Sequence, residues 1–282
     1  MITGRAPQGS DGSRLGLAGL RVGYRHPHGV GIGRHRTARI VVDGADAVAR
    51  AGEVTAVLGP NGAGKSTLLR SIAGLQPVLA GRVDWRDAGG VDHDLLRMPA
   101  RERARRTAVV LTDRVDAGLL TGREVVELGR HPYLSLLGRL SRRDHRLIDS
   151  VLVDLRAVEP SRQRFAELSD GQRQRLLLAR ALVSEPDVLI LDEPSAFLDV
   201  GARVDLMSLL GKLARDRMIT VLISTHEVEL ALRMADRLWL IHDHRLTVGT
   251  PAELIGSGLI SEVFGTDHAV FDPATRTFGV RD

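Results

Sequence analysis

Leu15, Leu17, Leu20, Val22 and Tyr24 alternate approximately with small and polar residues, which predicts an early strand ending near Tyr24. A Gly- and His-rich stretch, residues 26–36, reads as a hairpin loop into a second strand over residues 40–47. Residues 53–58 (EVTAVL) are a short apolar run of buried-strand character. They lead into a glycine-rich turn and a helix over residues 65–73, ended by Gly74 with Pro77 beyond it. From about Asp113 to Phe165 the apolar positions take helical spacing: Val125, Val126 and Leu128, then Leu147, Ile148, Val151, Leu152 and Leu155. The α/β rhythm then resumes with a helix over 172–182, a strand over 188–191, a helix near 204–213 and a strand over 220–224. A further strand is expected over 239–242. Apolar strands alternating with helices predict a mostly parallel sheet covered on both faces. The expected organisation is a disordered tail over 1–13 and an α/β domain over 14–250. That domain carries a helical subdomain (about 113–165, plus the helix after it), and an appendage follows over 251–282.

Composition narrows this picture. The 282 residues, 43% hydrophobic, suffice for a sizeable core. There is no cysteine, so neither a disulfide framework nor a zinc–thiolate site is available. Residues 1–13 lack the apolar stretch of a signal peptide and read as a frayed tail. No run approaches ~18 uninterrupted apolar residues, so any transport role places the membrane part on another chain. The net charge of +4 is carried almost wholly by arginine. The arginine runs at 101–106 and 139–146 are not interleaved with aromatics, which make up 3% of the chain. They read as solvated helix faces, or faces near anionic lipid and partner loops, and no nucleic-acid partner is expected.

The chemistry is concentrated in three places. Gly59, Pro60, Asn61, Gly62, Ala63, Gly64, Lys65, Ser66 and Thr67 fit the G-x-x-x-x-G-K-[ST] pattern, with a buried strand before and a helix after. Glycines let the backbone wrap phosphate oxygens, and the helix N-terminus adds donors and positive dipole. Lys65 would reach the β- and γ-phosphates and Ser66 would ligate Mg²⁺. Lys65 is one of only two lysines in an arginine-rich chain, and Asn61 is the sole asparagine. A compact ammonium at this one position indicates that a guanidinium fork would not fit the cradle. Second, the apolar strand over 188–191 runs into Asp192 and Glu193, which alternation sends to opposite sides. Asp192 would then hold the Mg²⁺ shell and Glu193 would polarise the attacking water. Third, the strand over 220–224 delivers His226 at its C-terminal end, the edge where open α/β sheets bind ligands.

Leu168, Ser169, Asp170, Gly171 and Gln172 resemble the LSGGQ signature of the ABC ATPases, with Asp170 in place of the first glycine. With residues 59–67, Asp192 and Glu193, a D-loop-like segment over 195–199 and His226 as switch histidine, the catalytic set appears in family order. Tyr24 stands where the family's adenine-stacking aromatic lies. The resemblance spans roughly residues 15–271. It implies a P-loop NTPase sheet core with an inserted helical subdomain, ATP and Mg²⁺ as ligands, and ATP hydrolysis. It also implies a head-to-tail dimer in which Ser169, Gly171 and Gln172 of one copy cap ATP on the other's cradle. The implied setting is the cytoplasmic face of the cell membrane, docked on a polytopic permease and served indirectly by a substrate-binding protein. Residues 129–141 (GRHPYLSLLGRLS) and 262–265 (EVFG) resemble the ATPase subunits of siderophore, haem and cobalamin importers. An exporter ATPase and a non-transport ABC ATPase are the alternatives, separated by whether a membrane protein, ribosomes or DNA co-purifies.

One departure stands out. The family places a glutamine at the end of the strand entering the helical subdomain, where it touches Mg²⁺. Here that strand, residues 107–113, ends in Thr112 and Asp113 without a glutamine nearby; Thr112 aligns best with the Mg²⁺-touching position and Asp113 is the runner-up. The histidine pairs at 26/28 and 242/244 lack a third ligand nearby in sequence and read as solvated loop residues.

Overall fold

A computed structural model describes residues 14–25, 38–112, 117–134 and 138–280. The expected tail over 1–13, the loop over 26–36 and Asp113 lie outside the described residues. In chain order the elements are β1 (Arg14–Arg25), β2 (Ala38–Arg50), β3 (Val54–Leu58), α1 (Lys65–Ile72), β4 (Ala80–Arg86) and β5 (Asp92–Asp94). They continue with α2 (Ala100–Arg106), β6 (Thr107–Val110), α3 (Gly122–Glu127), α4 (Arg142–Asp154), α5 (Val158–Ser161) and α6 (Asp170–Leu182). Then come β7 (Val188–Asp192), α7 (Val200–Arg217), β8 (Thr220–Ser224), α8 (Val228–Met234), β9 (Arg237–His242) and β10 (Arg245–Gly249). The last elements are α9 (Pro251–Gly256), α10 (Leu259–Phe264), β11 (Ala269–Asp272) and β12 (Thr277–Val280).

The strands form two main sheets where the alternation of elements predicts one. A six-stranded sheet runs β10-β9-β3-β8-β7-β6 and is parallel except for the β10 edge. β2, β1, β4 and β5 make a separate antiparallel sheet. β1 and β2 pair antiparallel, with Leu15 opposite Ala49 and Val22 opposite Val42, so they do not continue the parallel sheet. β1 buries only alternate residues over much of its length, whereas β3, β7 and β8 are buried at all five positions.

Strand alternation in the parallel sheet feeds two apolar cores. Val57, Ile190, Leu222 and Ile241 point to one face, where they pack with α1 (Leu68, Leu69, Ile72) and the antiparallel sheet. Ala56, Leu189, Leu191, Ile223 and Leu240 point to the other. There they meet Leu176 and Ala179 of α6, Leu210 of α7, Leu232 of α8 and the helical stretch through Ile148 and Val151. Leu254, Ile260 and Phe271 of the C-terminal segment join that same core. α3, α4, α6 and α9 each begin with a reciprocal cap, Thr121 with Glu124, Ser141 with Asp144, Ser169 with Gln172 and Thr250 with Glu253. In each, two of the helix's orphan N–H groups find side-chain oxygens.

Candidate functional site

The strand order decides the site. β3, β8, β7 and β6 are consecutive neighbours, so their carboxyl ends bring the glycine-rich turn, Ser224 to His226, Asp192 to Glu193, and Thr112 to one edge of the sheet. That edge is where open α/β sheets bind ligands.

The turn over 59–64 is shaped by what surrounds it. Gly59 has φ +152°, and a Cβ there would lie 2.6 Å from the Ile241 carbonyl oxygen. Gly64 has φ +103°, and its Cβ would lie 1.9 Å from Val41 Cγ1. Asn61 and Gly62 at the tip are exposed, and Ala63 N–H closes the turn on Pro60 O at 3.1 Å. Lys65 is buried and folds back over the turn, donating to Gly59 O at 2.8 Å and Pro60 O at 3.2 Å. Burial holds its ammonium below the ordinary lysine range, against the opposing pull of the Glu193 and Asp192 charges. Thr67, also buried, shares a 2.9 Å hydrogen bond with the Tyr24 hydroxyl, which places that tyrosine at the mouth of the turn.

Asp192 is the centre of the polar network. Its Oδ1 accepts from Ser66 Oγ and from Ser224 Oγ, both at 2.8 Å. Its Oδ2 is buried without a hydrogen-bond partner, and Arg70 Nε lies 3.9 Å away. Glu193 points elsewhere, its Oε1 3.1 Å from His226 Nδ1. The two acids therefore do face different partners, as strand alternation predicts. Glu193 adopts φ +49°, a left-handed conformation unusual for a residue with a side chain, and its N–H is held by Ser224 Oγ at 2.9 Å. Thr112 donates its hydroxyl to the Asp192 carbonyl oxygen at 2.6 Å.

Ser169, Gly171 and Gln172 are not brought to this cradle. Among the described residues no hydrogen bond joins them to residues 59–67. Ser169 Oγ accepts from Gln172 N at 3.3 Å, and Gln172 Oε1 from Ser169 N at 3.0 Å. A Cβ on Gly171 would meet only Leu198 Cδ2 at 3.9 Å, so the fold of a single chain does not require glycine there. The start of α6 does border a cavity of about 200 Å³ that Asp170, Arg173 and Gln174 share with Thr112, Glu193 and Phe197.

Sequence reasoning missed Ser224, Arg70 and Gln174. A hydroxyl ending the apolar run over residues 221–223 was the available signal for Ser224. Its importance comes from the parallel register that sets it opposite Asp192.

A glycine-rich turn between a buried strand and a helix, with a strand-end acidic pair two strands away, defines a P-loop nucleoside triphosphatase. More narrowly, the chain belongs to the ABC transporter family, whose model matches residues 42–196. It is 39% identical to an uncharacterised ABC transporter ATP-binding protein of Methanocaldococcus jannaschii, over 86% of this chain and 82% of that one. It is 32% identical to the ferric enterobactin transport ATP-binding protein FepC of Escherichia coli, over 78% and 80%. Its fold matches a metal-chelate type ABC transporter solved in an inward-facing conformation, with TM-score 0.74, 22% identity and 95% of both chains covered. As an ABC transporter ATP-binding protein, the chain is an ATPase coupled to transport. No helix among the described residues is long and apolar enough to cross a membrane.

Proposed function

We propose that this chain powers an importer of iron chelates or cobalamin-like compounds, hydrolysing ATP on the cradle formed by residues 59–67. The observation that carries the ATPase site is the convergence of Lys65, Ser66 with Asp192, and Glu193 with His226 on one sheet edge. The import reading rests on residues 129–141 and 262–265 and on the similarity to the ferric enterobactin protein.

In this reading Lys65, together with backbone N–H groups at the start of α1, binds the β- and γ-phosphates. Burial lowers its proton affinity, and the negative charge of the phosphates would favour the charged ammonium. Tyr24 stacks on the adenine. The residues fit a divalent cation: the buried Asp192 Oδ2 lacks a hydrogen-bond partner, and Ser66 Oγ already turns to the same carboxylate. Bound there by Ser66 and Asp192, Mg²⁺ would neutralise charge developing on the phosphates. Glu193 accepts a hydrogen bond from the attacking water and orients it in line with the γ-phosphate. His226, on Glu193 Oε1, fixes that carboxylate and stands beside the same phosphate.

The signature residues complete the site from a second copy. Ser169 and Gly171 open the 13-residue α6, and glycine at a position with free space around it suits close approach by an anion from outside the chain. The working unit is thus a head-to-tail dimer docked on a polytopic permease at the cytoplasmic face of the membrane, with a substrate-binding protein acting through that permease. Residues 14–250 are the proposed ATPase domain, with the subdomain over about 113–165 and the appendage over 251–282.

Glu193→Gln tests the reading. It keeps the phosphate and metal contacts but loses the carboxylate that activates water. ATP should remain bound, turnover should fall by roughly 10²-fold or more, and an ATP-bound dimer should persist on size exclusion. A Glu193→Gln protein hydrolysing at the wild-type rate would remove that residue from the mechanism. Uptake of a labelled ferric chelate by cells with and without the chain tests the import assignment.

A further inference from the structure

The peptide unit between Asp192 and Glu193 is gripped at both ends by side chains from different strands. Its carbonyl oxygen accepts from Thr112 Oγ1 at 2.6 Å, just beyond β6. Its N–H donates to Ser224 Oγ at 2.9 Å, at the end of β8. Ser224 Oγ in turn donates a hydrogen bond to Asp192 Oδ1 at 2.8 Å, which closes a small ring of bonds around the strand end. The residue this unit leads into, Glu193, sits at φ +49°. A non-glycine residue keeps such a conformation only where its surroundings over-determine it.

These facts have a mechanical consequence. Rotating a peptide plane changes the ψ before it and the φ after it by opposite amounts, so freeing the Asp192 carbonyl lets Glu193 relax toward negative φ. The carboxylate would then swing away from His226, now 3.1 Å off. Thr112 is also the last described residue before the chain leaves the sheet for the helical region, and it borders the cavity shared by Glu193 and the start of α6.

We propose that the Asp192–Glu193 peptide is a clamped hinge, and that Thr112 is a positioning residue holding Glu193 in its working orientation through the main chain. This rests on the ATPase reading above and adds a main-chain route by which a residue at the end of β6 sets the water-activating carboxylate. The route needs neither the family's glutamine nor a contact from Thr112 to the metal.

The test compares Thr112→Val, which keeps the branched shape and loses the hydroxyl, with Thr112→Ser, which restores the donor. Steady-state ATPase, ATP affinity and thermal melting are measured on the full chain. Thr112→Val should lower kcat by roughly 10- to 100-fold, since small misplacements of a catalytic group reduce rates on that scale. KM should stay within about twofold and melting close to wild type, because the lost bond touches no phosphate. Thr112→Ser should recover most of the rate. If Thr112→Val does not fold, Thr112→Ala is read against Thr112→Ser in the same assays. On a Glu193→Gln background, Thr112→Val should slow the residual rate no further, since it acts through the side chain already lost. Wild-type kcat in Thr112→Val, a change confined to KM, or the same fold-loss with and without Glu193 would each overturn the proposal. A wild-type chain without ATPase activity, or an unimpaired Glu193→Gln, would instead bring down the underlying reading, a result visible before any Thr112 variant is made.

Discussion

Gly64→Ala separates two costs that the cradle avoids by having no side chain at this position. The first is backbone strain: Gly64 has φ +103° and ψ 18°, where an alanine is disfavoured by roughly 1–3 kcal/mol. The second is overlap. The added Cβ would stand 1.9 Å from Cγ1 of Val41, a buried residue of β2, and such overpacking costs roughly 1–3 kcal/mol. Together, roughly 2–6 kcal/mol must be relieved by displacing the turn that would hold the phosphates. Even the lower bound corresponds to a loss of about 25-fold in ATP affinity, at 1.4 kcal/mol per tenfold. Titration calorimetry with Mg-ATP would read it. A Val41→Ala background removes the 1.9 Å contact and leaves one of 3.4 Å to Val41 Cβ. There, Gly64→Ala should weaken binding only by the backbone share, at least several-fold less than in the wild-type background. Unchanged affinity in Gly64→Ala would refute the argument that the chain needs glycine here. Equal losses in both backgrounds would refute the steric half alone.

Three further outcomes are expected. Arg130 is buried, donates to Asp144 Oδ1 at 2.7 Å and Val183 O at 2.8 Å, and lies 3.9 Å over the Tyr133 ring. Arg130→Ala should destabilise the chain by about 3–5 kcal/mol in urea unfolding, and Arg130→Lys should recover only part, because the fork and the stacking are lost. Below about pH 10, stability of the nucleotide-free protein should rise with pH from the point where the depressed Lys65 begins to lose its proton. Across that window the unfolded chain still holds the proton and binds more than the native state, and Lys65→Met should flatten the rise below about pH 10. Ser169→Arg should abolish ATP-trapped dimerisation in analytical ultracentrifugation at little cost to the monomer, roughly the 1 kcal/mol of a lost N-cap. An equally tight dimer with that arginine would refute the capping role.

The phosphate cradle, the acidic strand end, the strand leading to His226 and the signature helix were all legible in the sequence. Each is written in neighbouring residues: glycines before Lys65, an unbroken apolar run before Asp192, and residues 168–172 in the pattern of the family signature. Local spacing governs turns, strand ends and helix starts, so no knowledge of the rest of the chain is needed. α2 was legible only as a charged run read as a solvated helix face, because its sequence ARERARR buries nothing and so carries no apolar period to fix its bounds. The separate antiparallel sheet was also hidden, since a strand's own pattern does not reveal its neighbour. The same holds for the finer site. Ser224 matters because parallel register sets it opposite Asp192, and Thr112 matters because β6 lies beside β7, 80 residues apart in sequence for that hydrogen bond. Sequence alone pointed to the groups proposed to carry the chemistry. Only the tertiary structure decided which atoms hold them, because strand order and register arise from packing two apolar cores across the whole chain.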